Sequence, residues 1–407
     1  MPKKRTQKRR QNRPTRVQRR IYLDYASATP LRLEVLRAMG PFWSANAGNP
    51  GALHAEGVVA KRAVDKARES IARILHAHTP EIIFTGSGTE ANNLGIFGVI
   101  AAHERMGIPL SSMHLITGAT EHDSVLNCFH ELHRRGAMVS IIAPDAEGTI
   151  PTEEILRTIT PRTILISLQA ANHEIGIIQH ISQLAKGVRD VRESQGSPLP
   201  FLHTDASQAA GLLNVAVDRL QVDLMTLDAQ KIYGPKGVGA LYIRQGVTIA
   251  PLYFGGGQER GLRPGTENVP LIVGFAKAFE LTVKERDREW KRLLKLQELF
   301  LRLLEREVPQ ALLNGGMENR LPSNLNISLP GHSAEMLALS LDAKGFAVTT
   351  KSACSEALGE ESAVVLAVTG DSARAKSSLR FSFGKETTAA HLHAVVTALA
   401  LLAKGKV

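Results

Sequence analysis

The segment Leu224-Met225-Thr226-Leu227-Asp228-Ala229-Gln230-Lys231-Ile232-Tyr233-Gly234-Pro235-Lys236-Gly237 carries an apolar strand into a lysine and then a glycine-proline turn. A lysine shielded in such a place loses part of its preference for the charged state, and its neutral amine can form a Schiff base. A solvated lysine, the commoner case, does neither, and this segment alone leaves both readings open. A second apolar strand, Phe201-Leu202-His203-Thr204, ends in Asp205. At the C-terminal edge of an open α/β sheet, where ligands bind, that carboxylate can pair with a protonated heterocyclic nitrogen; the alternative is that it caps the next helix. In Phe84-Thr85-Gly86-Ser87-Gly88-Thr89-Glu90-Ala91 a strand turns through glycines into a helix. Free N–H groups and the positive end of the helix dipole would cradle a phosphate there. The same letters fit a dinucleotide turn, but no acid at the expected distance ends a following strand, and a plain tight turn also fits.

The two cysteines cannot make a disulfide framework, which fits a reducing compartment. Cys128, in Val125-Leu126-Asn127-Cys128-Phe129, reads as a buried hydrophobe. Cys354, in Lys351-Ser352-Ala353-Cys354-Ser355-Glu356, has the polar company of an accessible thiol.

The elements that must position these groups follow from periodicity. From Val58 to Leu75, apolar residues recur at Ala60, Ala63, Val64, Ala67, Ile71 and Leu75, the spacing of a helix with one buried face. Short β-rich runs then alternate with helical patterns: Glu81 to Thr85, His114 to Thr117, Ala137 to Ile142, Thr163 to Leu168, Phe201 to Asp205, Leu224 to Leu227 and Gly239 to Ile243. That alternation predicts an α/β fold with a mostly parallel sheet covered on both faces. Residues 21–258 are expected to form this large domain. Residues 259–407 are expected to form a hinge, a long helix and a small α+β domain, with strands near Asn324 to Ser328, Ala347 to Thr349 and Leu379 to Ser382.

The formal charge of +10 has a local origin. The first twenty residues hold ten Lys and Arg and no acid, so the rest of the chain balances 39 bases against 39 acids. Residues 1–20 are also nearly devoid of large apolar groups and are expected to be a disordered basic tail, bland or in weak contact with nucleic acid. No apolar run reaches the ~18 residues of a membrane span, so a cytoplasmic location without membrane attachment is expected.

Taken with Asn49-Pro50-Gly51-Ala52-Leu53-His54, Glu121-His122, Ala171-Asn172-His173-Glu174-Ile175-Gly176, Gly255 to Asn268, Ser352-Ala353-Cys354 and Ser377-Ser378-Leu379-Arg380-Phe381, these segments closely resemble the cysteine desulfurases. These are pyridoxal-phosphate enzymes of the class V aminotransferase family, and the interval from Cys354 to Ser377 resembles the branch with a long cysteine loop. The resemblance spans Ile21 to Thr388 and implies a fold-type I transferase. It implies that Lys231 holds pyridoxal 5'-phosphate covalently and moves the substrate's α-proton, that Asp205 keeps the ring nitrogen protonated, and that Gln208 contacts the phenolic oxygen. It further implies that His122 stacks on the ring and moves protons, and that Gly88 and Thr89 bind phosphate. Thr266 would reach the phosphate from the partner of a homodimer. Arg380 would grip the carboxylate of L-cysteine, and Cys354 would attack its sulfur, leaving L-alanine and a persulfide on Cys354. A sulfur acceptor is implied, either an iron-sulfur scaffold or a tRNA-thiolation relay; no metal is implied.

The chain departs from the family beside the cofactor. Asp228 stands where a serine usually donates to the phosphate, Gln230 replaces a histidine, His173 replaces an asparagine and Lys351 replaces a glycine. A carboxylate ~4 Å from an anion costs on the order of 4 kcal/mol at an effective dielectric of about 20, so Asp228 is expected to be protonated, turned away or bridged by a donor. Rival readings are a selenocysteine lyase, a weakened family member serving as a binding subunit, a nucleic-acid-associated protein acting through its tail, and a nicotinamide-dependent dehydrogenase.

Overall fold

A computed structural model describes residues 20–350 and 361–405. The first strand, β1 (Ile21–Tyr22), lies apart from the main sheet. That sheet comprises β2 (Ile82–Thr85), β3 (His114–Gly118), β4 (Met138–Ile142), β5 (Thr163–Ser167), β6 (Phe201–Asp205), β7 (Leu224–Asp228) and β8 (Gly239–Ile243). These are the seven expected runs, and no end differs by more than one residue. Their spatial order is β2-β8-β7-β6-β5-β3-β4. All neighbours are parallel except β8, which is antiparallel to β2 and to β7.

Side chains alternate across a strand, so a sheet covered on both faces needs apolar residues at consecutive positions. Ile82, Phe84, Leu202, Met225, Leu227 and Tyr242 enter one apolar cluster, whereas Ile83, Phe201, Leu224, Leu241 and Ile243 enter another on the opposite face. The helix Ala55–Leu75 covers the first face with Ala60, Val64, Ala67, Ile71 and Leu75, while Ala63 is only partly buried. It starts three residues before the apolar spacing does, because the side chain of His54 caps the N–H of Gly57.

A single helix, Val269–Glu307, links two cores. Its first half contributes Val269, Ile272, Phe275 and Phe279 to the main core, and its second half contributes Leu293, Phe300, Leu303 and Leu304 to a separate one. That second core also holds Leu325 and Ile327 of β10 (Asn324–Ser328) and Leu379 and Phe381 of β12 (Ser378–Ser382). β10 lies between β9 (Leu312–Leu313) and β12 with antiparallel pairing. β1 pairs in parallel with β11 (Phe346–Ala347), and Leu23 packs in the second core, so Ile21 to Leu23 are built into the smaller lobe. Among the described residues no helix is long and apolar enough to cross a membrane.

Candidate active site

The C-terminal ends of β6 and β7 and the turn after β2 converge on one cavity of about 260 Å³. Gly239 lets them come close. It pairs with both Thr85 and Asp228, and a Cβ on it would fall 2.7 Å from the carbonyl carbon of Ser87. Gly88, Thr89, His122, Asp205, Gln208, Lys231 and Arg380 all line this cavity, together with His173, Asp228 and Gln230.

Lys231 follows β7 in a 3-10 turn. Its Nζ donates to the carbonyl oxygens of Ala26 (2.9 Å) and Ser27 (2.7 Å). Burial lowers its proton affinity below that of an ordinary lysine, despite the opposing pull of Asp228 and Asp205. Gln208 donates to the same Ala26 carbonyl at 2.9 Å.

Asp205 is held by two residues. Asn92 Nδ2 reaches Oδ2 at 2.8 Å and the Ser207 N–H reaches Oδ1 at 2.9 Å. Burial pushes its proton affinity up, but these donors and the facing His122 outweigh burial, and the carboxyl sits below its ordinary range. Asp205 is therefore a carboxylate rather than a carboxylic acid. No helix begins directly after β6, so Asp205 caps none: it accepts from Ser207 in the turn that follows the strand and lines the cavity.

His122 caps the helix Asp123–Arg134: its Nδ1 accepts from the Ser124 N–H at 3.1 Å and lies 2.8 Å from Ser124 Oγ. Its ring meets that of His173 edge-on at 5.0 Å. Burial, then the neighbouring His173, lower its pKa to about 4, so the imidazole is neutral near pH 7. With Nδ1 accepting, the ring proton belongs on Nε2.

Arg380 belongs to β12, where alternation sends Leu379 and Phe381 into the second core and turns the guanidinium toward the cavity. Only 2% of Arg380 is exposed. Nη2 donates to Asp24 Oδ1 (2.8 Å) and Ser27 Oγ (2.6 Å), and Nη1 to the His173 carbonyl (2.8 Å). Its Nε has no partner among the described residues.

Two expected site residues are not in this group. Thr266 is exposed and does not line the cavity of its own chain. Cys354, with Lys351, lies outside the described residues. Cys128 is buried as expected, and burial raises its pKa to about 12. Asp228 is not turned away. It accepts from Gly88 at the start of the helix Gly88–Arg105 and from Gln230. Asn92 and Ser124 escaped the reading of the sequence. Asn92 donates to both Asp205 and Ser124 Oγ, which continues the network to His122. Its available signal was a pair of asparagines, Asn92 and Asn93, one turn after Gly88.

The donor set fits pyridoxal phosphate at three of its groups: a buried amine for the aldehyde, a held carboxylate for the ring nitrogen, and amide and imidazole groups for the ring face and oxygen. Among the described residues no cluster could hold a metal.

Residues 21–395 match the class-V aminotransferase family. A protein of Dictyoglomus turgidum named cysteine desulfurase IscS is 42% identical over 372 residues, 91% of each chain. One of the same name from Clostridium botulinum is 38% identical over 388 residues, 95% of each chain. Among solved structures, a NifS-like protein superposes with a TM-score of 0.87 at 32% identity, covering 95% of this chain and all of the other. A structure titled SspA in complex with cysteine gives 0.75 at 33% identity, covering 89% of this chain and 98% of that one. Whole-length similarity and the cavity's donor set agree: the chain belongs to the class V aminotransferase family, and within it to the pyridoxal-phosphate-dependent cysteine desulfurases.

Proposed function

We propose that this cavity takes the sulfur of L-cysteine, with Lys231, His122, Asp205, Gln208 and Arg380 acting beside Cys354. The observation that carries the reading is the gathering of a buried amine, an ionised carboxylate, a neutral imidazole and a guanidinium on one cavity. Lys231 would hold the cofactor's aldehyde, Asp205 its ring nitrogen, Gln208 its ring oxygen, and Gly88 and Thr89 its phosphate. Bound there, pyridoxal phosphate supplies a sink for electrons released at the substrate's α-carbon.

The remaining work falls to this chain's own residues. Arg380, oriented by Asp24, Ser27 and the His173 carbonyl, binds the substrate carboxylate. Lys231, with its lowered proton affinity, takes and returns the α-proton. His122, neutral near pH 7 with its ring proton on Nε2, helps move protons at the cavity. The Cys354 thiolate attacks the substrate sulfur, forming an S–S bond as the bond from that sulfur to Cβ breaks. The electron pair passes to Cβ, which takes up a proton, so L-alanine leaves and a persulfide stays on Cys354. No external oxidant is required.

Three finer points belong to the same reading. A homodimer would bring the partner's Thr266 to the phosphate, and the exposed Leu53, Tyr253 and Phe254 support such an interface. The persulfide would pass to a cytoplasmic acceptor, an iron-sulfur scaffold or a thiolation relay. Two domains would act here, which the separate apolar cores support, although Ile21 and Leu23 join the smaller core and Val269 to Phe279 the larger, so the division does not fall at residue 258.

The test is the stoichiometry of alanine and sulfide formed from cysteine with a reductant present, expected to be equal. Cys354→Ala should keep the cofactor's colour and stop sulfide release, whereas Lys231→Ala should lose both. Borohydride reduction and peptide mapping of the parent should place the cofactor on residue 231. Sulfide at the parent rate from Cys354→Ala, or an unmodified amine at 231 in loaded protein, would overturn the reading.

A further inference from the structure

The start of the helix Gly88–Arg105 already carries an anion. Asp228 is 7% exposed, and its Oδ2 accepts from the Gly88 N–H (3.4 Å) and the Gln230 side-chain amide (3.0 Å), while Oδ1 accepts from the Gln230 N–H (3.1 Å). A Cβ placed on Gly88 would lie 3.2 Å from Asp228 Oδ2 and 3.3 Å from Ser207 Oγ, so both side chains lie against the first residue of the helix, beside the cavity. The donors that Asp228 engages are of the kind a phosphate uses at a helix N-terminus. Gln230 commits one hydrogen of its side-chain amide to Asp228.

We propose that Asp228 is a resident anion in the cofactor's phosphate site, so that loading pyridoxal phosphate exchanges one anion for another. The inference rests on reading the cavity as a pyridoxal-phosphate site. For the phosphate to lie against Gly88, the carboxylate must swing off the helix end or take up a proton. Either change subtracts from the affinity for the phosphate and leaves the hold on the ring and aldehyde untouched. Lys231 faces the same cavity and Asp205 stands on the adjacent strand, so neither replaces the donors that Asp228 occupies. Before the cofactor arrives, the carboxylate satisfies three N–H groups and faces the positive end of a helix, which stabilises the empty protein. Asp228 thus makes cofactor occupancy responsive to cofactor concentration and weakens the preference for the phosphorylated form.

The experiment compares cofactor-free parent, Asp228→Ser and Asp228→Asn by equilibrium dialysis against pyridoxal phosphate and, separately, against pyridoxal, with thermal melting of each cofactor-free protein. Removing one like charge at this range should tighten pyridoxal phosphate by about tenfold or more in both variants and change pyridoxal by less than about twofold. The melting temperature of cofactor-free Asp228→Ser should fall below the parent's, since the replaced carboxylate no longer faces the helix end. The inference is overturned if pyridoxal phosphate binds the variants no more tightly than the parent, or if pyridoxal tightens equally. If parent and variants take up neither aldehyde, the pyridoxal-phosphate reading of the cavity itself fails, a result distinguishable from the first two.

Discussion

Replacing Asn92 with alanine tests whether the network behind the cavity sets the charge of Asp205. Asn92 is 1% exposed and spends one amide hydrogen on Asp205 and the other on Ser124, each at 2.8 Å. A hydrogen bond to a charged group contributes about 1.5–3 kcal/mol, and Asp205 keeps the N–H and the hydroxyl of Ser207 as further donors. Asn92→Ala removes that bond and leaves the burial that opposes ionisation. The depressed carboxyl stabilises the folded protein above the ordinary aspartate range, and that contribution is lost as pH falls through its folded value. The variant gives up part of it and takes up its proton at higher pH than the parent does. The acid limb of kcat, measured as alanine formation at saturating cysteine, should therefore move to higher pH. On its plateau kcat should fall about tenfold to a hundredfold if the lost bond is felt in the transition state. Asn92→Asp, which puts a second carboxylate against the first, should fall further. A role in packing alone would lower stability without moving the limb. Limbs that superpose on the parent's, with cofactor fully loaded, would refute the reasoning.

Other expectations concern the two cationic groups and the imidazole. Arg380→Lys keeps a positive charge but loses the fork that holds Asp24, Ser27 and the His173 carbonyl, so KM for cysteine should rise about tenfold to a hundredfold with a smaller change in kcat; an unchanged KM would remove Arg380 from substrate binding. The His122 ring, with its pKa lowered to about 4, should show no titration by NMR between pH 6 and 8. Its neutral burial stabilises the fold above the ordinary histidine range and loses that contribution as pH falls toward 4; a midpoint at or above the ordinary value would contradict the burial argument. Phe254→Asp, at a residue 82% exposed, should shift the sedimentation of the protein from dimer to monomer and lower cofactor affinity through loss of the partner's Thr266. An unaltered dimer would place the interface elsewhere.

The main sheet was legible because each strand carries consecutive apolar residues bounded by turn chemistry, as in Phe201 to Asp205 and Gly239 to Ile243. The place of Asp205 was legible for the same reason, since a charge closing an apolar strand has to lie at the sheet edge, whereas Lys231, three residues beyond the end of β7, was left open by its segment alone. The assignment of Ile21 and Tyr22 to the smaller lobe was not legible. Their partners, Phe346 and Ala347, are more than three hundred residues away, and a two-residue strand has no periodicity to read. Asn92 was hidden in the same way: its partner Asp205 lies 113 residues further on, and its own first turns hold other polar residues, Thr89, Glu90 and Asn93, from which nothing local distinguishes it.

Those long-range pairings share a logic. The cavity contains two cations, Lys231 and Arg380, and the carboxylates of Asp24, Asp205 and Asp228 are arranged around it. Buried cations are costly without compensating anions, and these carboxylates supply compensation before any ligand arrives. Asp24 lies on Arg380, the group assigned to the substrate carboxylate, and Asp228 lies on the helix end assigned to the phosphate. At both places a ligand meets a donor that is already engaged. Arg380 holds Asp24 and Ser27 with Nη2 and the His173 carbonyl with Nη1, so a substrate carboxylate has to share or displace these acceptors. The Gly88 N–H already donates to Asp228 and has to give up that carboxylate to accept another anion. The residue at 228 then sets how much of the protein is competent at a given supply of cofactor.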